Sequence, residues 1–255
     1  MNAIELIDLS IGYDRHAVLT KINAAIQKAR ITCLIGTNGI GKSTLLRTLS
    51  AFQPALSGQI LIGGTPIEQF TQHDLARKIG VVLTEKIEIS NITVTELTGL
   101  GRSPYTNFWG GLTAADHDIV RQALQMVGIA DLADRKIQTL SDGERQKVII
   151  AKALAQQTPV IILDEPTAFL DFQSKIEILQ LLSHLAHKYG KTVFLSIHDV
   201  DLALQTADEL WLIDCDKQLH TGTPDELIKD GSFARFIENE YLIFDPDART
   251  IRIKK

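Results

Sequence analysis

Residues 31–44 read Ile-Thr-Cys-Leu-Ile-Gly-Thr-Asn-Gly-Ile-Gly-Lys-Ser-Thr, and this stretch decides the fold. The first five residues are apolar or β-branched, a composition typical of a short buried strand. Residues 36–41 are rich in glycine and predict a turn. From residue 44 to residue 49 the apolar side chains have helical spacing. The stretch therefore predicts a strand, a tight loop and a helix in direct succession.

The loop in this stretch has the spacing of a phosphate-binding loop. Residues 36–43 fit the pattern G-x-x-x-x-G-K-[ST], and the strand before and the helix after them are the context that the pattern requires. Glycines let backbone N–H groups converge on phosphate oxygens at a helix N-terminus, where the helix dipole favours anions. Lys42 would reach the outer phosphates, and Ser43 would offer its hydroxyl to Mg²⁺. The alternative, a glycine-rich turn that carries a lysine by chance, is disfavoured by this context.

Two acidic residues, Asp164 and Glu165, follow the four aliphatic residues 160–163. Such a run predicts a buried strand, and α/β sheets bind their ligands at the carboxyl ends of strands. Adjacent strand residues point in opposite directions, so the two acids should have different roles. Asp164 suits the shell of Mg²⁺, and Glu165 suits a base that polarises a water for attack on a γ-phosphate. The alternative is an ordinary acidic strand end that begins a loop before Pro166.

The composition is that of a globular protein, because 45% of the 255 residues are apolar and 22% are charged. The net charge of −5 gives no general field for holding nucleic acid or an anionic membrane. Cys33 and Cys215 cannot form a disulfide framework, which favours a reducing compartment. The longest aliphatic runs, such as residues 160–163, are far shorter than the ~20 residues of a spanning helix. We therefore expect one α/β domain without a membrane-spanning segment.

Strand and helix patterns alternate along the rest of the chain. Strands are expected at residues 3–9 and 22–26, with a turn at Gly12-Tyr13-Asp14 between them, and at 58–64, 160–163, 192–197 and 209–213. Helices are expected at 94–100, 114–127, 144–155, 174–189 and 202–206, with a loop at 102–111. This alternation predicts a mainly parallel sheet covered on both faces. Residues 1–240 form one domain in this interpretation, with a helical insertion at about 92–157, and residues 241–255 form a hairpin or edge strand.

A third motif, Leu-Ser-Asp-Gly-Glu-Arg-Gln, occupies residues 140–146. Ser141 and Glu144 have the spacing of a capping box at the start of a helix, and a capped helix N-terminus is also an anion site. The order of the motifs is a phosphate loop, a helical insertion, L-S-x-G-[EQ], aliphatic-Asp-Glu-Pro-Thr and a histidine after a strand. This order is similar to that of the ATP-binding subunits of ABC transporters, over residues 4–222.

The resemblance implies the α/β fold of that family: a P-loop NTPase core with a mainly parallel sheet, an N-terminal antiparallel β subdomain and a helical insertion subdomain. It implies ATP and Mg²⁺ as cofactors. The phosphate loop supplies the candidate ligands Asn38, Gly39, Gly41, Lys42, Ser43 and Thr44. Tyr13 lies where the family has an aromatic that stacks on adenine, although a turn aromatic gives the same signal. His198 matches the switch histidine near the γ-phosphate, and its alternative is a structural histidine.

Other residues match family motifs that act across a dimer. Ser141 and Gly143 match the signature motif, which in this family contacts the γ-phosphate bound to the other subunit. Asp171 matches an aspartate carried across the dimer interface, and it also suits the N-terminus of a helix. The resemblance therefore implies a head-to-tail dimer of two copies that share two ATP sites. Catalysis would rest on Glu165, His198 and Lys42.

Three features depart from the family pattern. Glu85 stands where the family usually has a glutamine; a carboxylate also ligates Mg²⁺, and the alternative is an ordinary loop acid. Asp142 replaces a glycine of the signature motif, and we expect it to point away from phosphate and cap its own helix because it would repel the anion. After Gly222 we expect no large regulatory domain, only the hairpin or edge strand at 241–255.

The favoured function is the ATPase subunit of a membrane transporter, at the cytoplasmic face of the membrane. Its partners would be a second copy, integral membrane permease subunits and, through the permease, a substrate-binding protein, with no nucleic acid. The permease contact is expected at the helical insertion and the loop after Glu85, at about 87–108. There Tyr105, Phe108 and the neighbouring Trp109 fit an interface or, alternatively, a small core under a loop. The competing interpretations are a soluble ABC-type ATPase acting on ribosomes or DNA, and a P-loop kinase or GTPase.

The transported cargo is indicated only by pattern resemblance. Residues 100–105, Leu112-Thr113 and Asp116 resemble the subgroup that imports iron-siderophore, haem or cobalamin, and zinc or manganese import is the alternative. The cargo does not touch this subunit in such transporters, so no side chain here is expected to recognise it.

Overall fold

The computed structural model describes residues 1–14, 16–83, 91–106 and 110–254. The strands are β1 (Asn2–Tyr13), β2 (His16–Gln27), β3 (Ile31–Gly36), β4 (Ser57–Ile62), β5 (Thr65–Pro66), β6 (Ile79–Val82), β7 (Val160–Leu163), β8 (Thr192–Ser196), β9 (Glu209–Ile213), β10 (Leu219–Gly222), β11 (Leu242–Asp245) and β12 (Thr250–Ile253). The α-helices are α1 (Lys42–Leu49), α2 (Gln72–Leu75), α3 (Val94–Gly99), α4 (Ala114–Met126), α5 (Asp142–Ala155), α6 (Phe172–His187), α7 (Val200–Thr206), α8 (Pro224–Lys229) and α9 (Ser232–Ile237).

The main sheet has the strand order β10-β9-β3-β8-β7-β6. All adjacent strands from β9 to β6 pair in parallel, and β10 at the edge pairs antiparallel with β9. All six residues of β3 and all four of β7 are buried. Uninterrupted apolar runs of this kind are typical of parallel strands covered on both faces. The predicted α/β fold with a mainly parallel sheet is therefore confirmed.

The side chains of β3 alternate between two cores. Cys33 and Ile35 lie in a core with buried residues of α3 to α6, whereas Leu34 lies in a core with α1 and the strands β1, β2 and β4. The edge-to-face pair of Phe194 and Trp211, with ring centroids 5.0 Å apart, belongs to the second core. The sheet thus fixes α1 and the helical region on opposite faces.

The N-terminal sheet, in the order β2-β1-β4-β5, is antiparallel as expected. The predicted strand limits were wrong, because Gly12 and Tyr13 belong to β1 and do not form the turn. Register shifts along the β1–β2 pair interrupt the alternation of buried and exposed residues, and this shortened the predicted strands. At Gly12 a Cβ atom would come 1.9 Å from the carbonyl oxygen of His16, so only glycine fits this close pairing.

In the helical region, α3, α4 and α5 each begin with a capping box in which a threonine or serine and an acid three residues later bond reciprocally. The expected loop at 102–111 was wrong in its first part, because Leu100–Tyr105 forms a 3₁₀ helix. Arg102 is buried in it. Its Nε donates to Asp116 Oδ1 at 2.8 Å, and its Nη1 donates to the carbonyl oxygen of Ala155 at 2.8 Å.

After the main sheet, α8 and α9 lead to the antiparallel pair β11–β12. Phe244 of β11 packs against Phe233 of α9 with ring centroids 4.7 Å apart. The sequence patterns did not predict α8 and α9. Within the described ranges, none of the helices is both long and apolar enough to cross a lipid bilayer.

The buried pair of Arg102 and Asp116 predicts acid sensitivity. The Asp116 carboxylate accepts hydrogen bonds from Thr113 and from Arg102, and these lower its pKa from 3.8 to about 2. A depressed carboxyl pKa stabilises the fold above pH ~4, and this contribution is lost as pH falls towards ~2. We expect the unfolding free energy of the wild type to fall more steeply over this range than that of Asp116→Asn in urea titrations. Asp118→Asn, which removes an exposed carboxylate, is the control; parallel curves for wild type and Asp116→Asn would contradict the prediction.

Candidate nucleotide-binding and catalytic site

A cleft of about 440 Å³ lies over the N-terminus of α1. Nine of the predicted site residues line it together with Val18: Tyr13, Asn38, Gly39, Gly41, Lys42, Ser43, Thr44, Glu165 and His198. The cleft therefore brings the phosphate loop, the second strand-end acid and the histidine after β8 to one place.

The loop before α1 leaves backbone donors for an anion. Gly41 is the N-cap residue of α1 and provides no side-chain hydrogen bond, so the first N–H groups of the helix have no intrahelical or capping partner. Gly39 and Gly41 have φ angles of 76° and 119°, a region that side chains other than glycine rarely adopt. A Cβ atom at Gly41 would also lie 2.6 Å from Val18 Cγ1. An uncapped helix N-terminus with glycine-only geometry fits a phosphate group.

Lys42 supplies the positive charge of the cleft. Only 5% of the residue is exposed, and its ammonium donates to the carbonyl oxygens of Gly36 at 2.8 Å and Thr37 at 3.2 Å. Burial lowers the pKa of Lys42, and the neighbouring carboxylates of Glu165 and Asp164 act in the opposite direction. The loop carbonyls thus hold the lysine at the base of the cleft, where phosphate oxygens are able to replace them.

Tyr13 and Thr44 are joined across the cleft wall. Thr44 Oγ1 donates to the Tyr13 hydroxyl oxygen at 3.2 Å, and Tyr13 is about half exposed. The predicted base-stacking aromatic therefore contacts the helix that follows the phosphate loop. Its exposed ring leaves a surface on which a flat base is able to stack.

The two strand-end acids, Asp164 and Glu165, lie in different environments. Asp164 is 9% exposed, and its N–H continues the sheet by donating to the carbonyl oxygen of Val82 at 2.8 Å. Glu165 turns out of the sheet with φ 48°, and its Oε1 lies 2.5 Å from His198 Nε2. A carboxylate can only accept, so the pair implies that Nε2 carries the proton. Glu165 and His198 line the cleft, and Asp164 is not one of its lining residues.

Ser196 is a site residue that the sequence analysis missed. It is fully buried at the end of β8, and its Oγ donates to Asp164 Oδ1 at 2.7 Å and accepts from the Glu165 N–H at 2.8 Å. A serine in an apolar strand carries no local signal of this role. Only its position two residues before His198, together with the pairing of β8 with β7, indicates that it lies at the site.

The residues present fit a hydrated Mg²⁺ ion. Ser43 presents its hydroxyl to the cleft, and the Asp164 carboxylate is a hard oxygen ligand close enough to Lys42 to act on its pKa. Mg²⁺ is commonly held by one or two protein oxygens together with substrate phosphates. Glu85, the third predicted ligand, lies outside the described residues, so its role stays a prediction.

Ser141, Gly143 and Asp171 do not line the cleft, and the structure collects them at the N-termini of α5 and α6. Ser141 caps α5, and Asp171 caps α6 by accepting from the Ser174 N–H at 2.9 Å. A Cβ atom at Gly143 would lie 2.9 Å from Ser174 Oγ, so the two helix ends are in close contact. The expectation that Asp142 caps its helix was wrong, because Ser141 holds that position and Asp142 instead pairs with Arg145.

Residues 19–168 match the ABC transporter family. The chain is 39% identical to the iron(3+)-hydroxamate import ATP-binding protein of Bacillus subtilis (strain 168), over 80% of this chain and 76% of the relative. It is 36% identical to the ferric enterobactin transport ATP-binding protein of Escherichia coli (strain K12), over 95% of this chain and 90% of the relative.

Two solved structures are similar to the fold. A metal-chelate type ABC transporter in an inward-facing conformation has a TM-score of 0.81 at 26% identity, with 92% of this chain and 89% of that chain covered. A dimeric bacterial ABC transporter cassette has a TM-score of 0.73 at 25% identity, with 87% and 98% covered.

The site and these similarities agree, and the chain belongs to the ABC transporter family. It is an ATP-binding cassette of that family, and its enzymatic activity is that of an ATPase.

The glycine geometry of the loop predicts a specific loss of nucleotide binding. In Gly41→Ala the new methyl group would clash with Val18, and the alanine would be strained at the φ of 119° that the loop requires. Relief of the clash and the strain would move the N-terminus of α1. We expect ATP affinity, measured by calorimetry, to fall about tenfold or more. Gly190→Ala is the matched control, because Gly190 also has a positive φ of 64° but faces open space away from the cleft. Equal ATP affinity in both variants would contradict the role of the glycine geometry in phosphate binding.

Proposed function

We propose that the chain is the ATP-hydrolysing, nucleotide-binding subunit of an importer for iron-siderophore complexes. The observation that carries the hydrolytic part is the contact of Glu165 with His198 inside the phosphate cleft. The relatives support the import part, because their names state iron(3+)-hydroxamate import and ferric enterobactin transport. These relatives do not favour action on ribosomes or DNA.

Glu165 acts as the general base in this proposal. A water attacks the γ-phosphorus, the bond to the oxygen between the β- and γ-phosphates breaks, and the water proton passes to the Glu165 carboxylate. His198, which donates from Nε2, orients that carboxylate towards the cleft. Lys42 and the N–H groups of α1 stabilise the charge that develops on the phosphate oxygens. Mg²⁺, held by Ser43 and Asp164, would neutralise part of the phosphate charge.

The active unit is a head-to-tail dimer of two copies. In one chain the phosphate cleft and the cluster of Ser141, Gly143 and Asp171 are separate, so one copy would supply the cleft and the other the cluster. The Ser141 end of α5 presents a helix N-terminus, which favours an anion such as a γ-phosphate. The similar cassette with a TM-score of 0.73 is dimeric, which supports the association of two copies.

The permease would bind beside the helical region, at the cytoplasmic face of the membrane. A groove of about 330 Å³ lies between α2, β6 and α5, with the exposed Phe52 at its edge and apolar Leu75 and Val81 in its wall. A substrate-binding protein would act through the permease. The ring of Tyr105 contacts the guanidinium groups of Arg102 and Arg77, at 4.0 and 4.8 Å, and 37% of the residue is exposed, so it is able to contribute both to local packing and to an interface. The predicted interface residues Phe108 and Trp109 lie outside the described residues.

The subgroup pattern has a structural basis that does not involve cargo. Arg102 and Asp116, both part of that pattern, form the buried pair in the helical region. The pattern thus identifies how α4 packs against the 3₁₀ helix Leu100–Tyr105. We expect the partner proteins, and not this chain, to determine which cargo is transported. The siderophore assignment rests on the relatives, with cobalamin as the nearest alternative.

Replacing the proposed base should separate binding from hydrolysis. We expect Glu165→Gln to lower kcat for ATP by about 100-fold or more, because general bases contribute 10²–10⁴ in rate. ATP affinity should persist, and the ATP-loaded variant should elute as a dimer in gel filtration. Glu177→Gln, which alters a partly exposed carboxylate that is paired with Lys147 and does not line the cleft, is the control. Retained turnover, or a monomer in saturating ATP, would contradict the mechanism.

Deletion of the gene tests the proposed cargo. In cells lacking this chain, uptake of radiolabelled ferric siderophore should fall to background and return with the wild-type gene but not with Lys42→Ala. The reason is that Lys42 is the buried charge of the nucleotide cleft. Labelled cobalamin is measured in parallel, and normal uptake of the siderophore with loss of cobalamin uptake would reassign the cargo. Normal uptake of both would contradict the assignment.

A further inference from the structure

Ser196 occupies a position where one hydroxyl reaches both strand-end acids. It is the last residue of β8, which lies between β3 and β7 in the main sheet. Its side chain is fully buried among strands whose other side chains are mainly apolar. A buried hydroxyl needs hydrogen-bond partners, and both of its partners here belong to the site.

The hydroxyl is used as donor and as acceptor. The hydroxyl donates a hydrogen bond to Asp164 Oδ1 at 2.7 Å and accepts one from the N–H of Glu165 at 2.8 Å. Asp164 therefore has one carboxylate oxygen engaged by Ser196, which restricts the rotation of the group. A hydrogen bond to a metal-ligating carboxylate fixes the direction in which the remaining oxygen points.

The second bond holds an unfavourable backbone conformation. Glu165 has φ 48°, in the left-handed region where a residue with a long side chain is strained. The N–H of Asp164 continues the pairing with β6, whereas the N–H of Glu165 donates to the hydroxyl of Ser196 at the end of β8. Two residues further along, His198 contacts the carboxylate of the same glutamate. The end of β8 thus holds Glu165 at two points, its backbone and its side chain.

We propose that Ser196 is a positioning residue of the hydrolytic site, which aligns Asp164 for Mg²⁺ and keeps Glu165 in the backbone conformation that directs its carboxylate into the cleft. This inference rests on the proposed role of Glu165. Ser196 does not line the cleft and acts only through the two acids. A hydroxyl is required because neither an apolar group nor a pure donor makes both bonds.

The test compares Ser196→Ala, Ser196→Thr and Ser196→Val. Threonine and valine have nearly the same shape, so they differ mainly in the hydroxyl. In the alanine and valine variants we expect kcat to fall about 10–100-fold, as for other partners that orient metal ligands, and the Mg²⁺ concentration for half-maximal activity to rise. ATP affinity measured in EDTA should not change, because the loop and Lys42 are untouched. Ser196→Thr, which keeps the hydroxyl, should retain most of the wild-type kcat and the wild-type Mg²⁺ dependence.

Amide hydrogen exchange provides a readout independent of turnover. In the wild type without nucleotide, the Glu165 amide should exchange slowly because its N–H is bonded to Ser196. Exchange should become faster in Ser196→Ala and Ser196→Val and remain slow in Ser196→Thr. Thr192→Val is the matched control, because Thr192 is a buried hydroxyl at the other end of β8 that bonds the N–H of Ala29.

The outcomes distinguish this inference from the mechanism on which it rests. Equal kcat, Mg²⁺ dependence and Glu165 exchange in Ser196→Thr and Ser196→Val would overturn the positioning role, as would an equal loss of kcat in Thr192→Val. Wild-type behaviour of Ser196→Ala with an inactive Glu165→Gln would overturn only the role of Ser196. An active Glu165→Gln would instead overturn the general base.

Discussion

The register of the three parallel strands β3, β8 and β7 is the constraint on which the site depends. Leu34 of β3 pairs with Ser196 of β8, and Leu163 of β7 pairs with Leu195. The carboxyl ends of these strands therefore meet at one edge of the sheet, where the phosphate loop leaves β3 and the two acids follow β7. A slip of one residue in β8 would turn the Ser196 side chain to the opposite face and remove its bonds to Asp164 and Glu165.

Opposite charges reach the cleft from different parts of the chain. The loop and α1 supply Lys42 and unpaired N–H groups, while the ends of β7 and β8 supply the Glu165 carboxylate and His198. Lys42 is buried between loop carbonyls and acids, an arrangement that accommodates a phosphate group and its accompanying cation. The Ser141 end of α5 has the polarity to bind phosphate but lies apart from this cleft, which is the structural reason to involve a second copy.

The local part of this site was predictable from the sequence, because its signals are short. The phosphate loop, the aliphatic run before Asp164 and the capping boxes each occupy fewer than about ten residues. Ser196 was not predictable in this way, since its function arises from strand pairing across about 30 residues of chain. The sequence shows Arg102 and Asp116 only as parts of a pattern, because nothing local indicates that a charged side chain is buried.

Other misses have physical causes of a different kind. The β1–β2 pair contains register shifts, which break the alternation by which strands are recognised. The start of α8 carries a capping box of Thr223 and Glu226 with a proline in its first turn, but α8 has only six residues and is too short to show helical periodicity. At the signature motif the capping box of Ser141 and Glu144 forms as its spacing predicts, whereas Asp142 lies within the first turn and pairs with Arg145 instead of capping the helix.

The central claim is that two copies of the chain build each hydrolytic site. It is tested most directly by measuring ATPase activity per chain over a wide range of protein concentration, with the association state at each concentration determined by sedimentation velocity. We expect activity per chain to rise in proportion to the fraction of ATP-bound dimer. Constant activity per chain in a preparation that sediments as monomer at every concentration would contradict the claim.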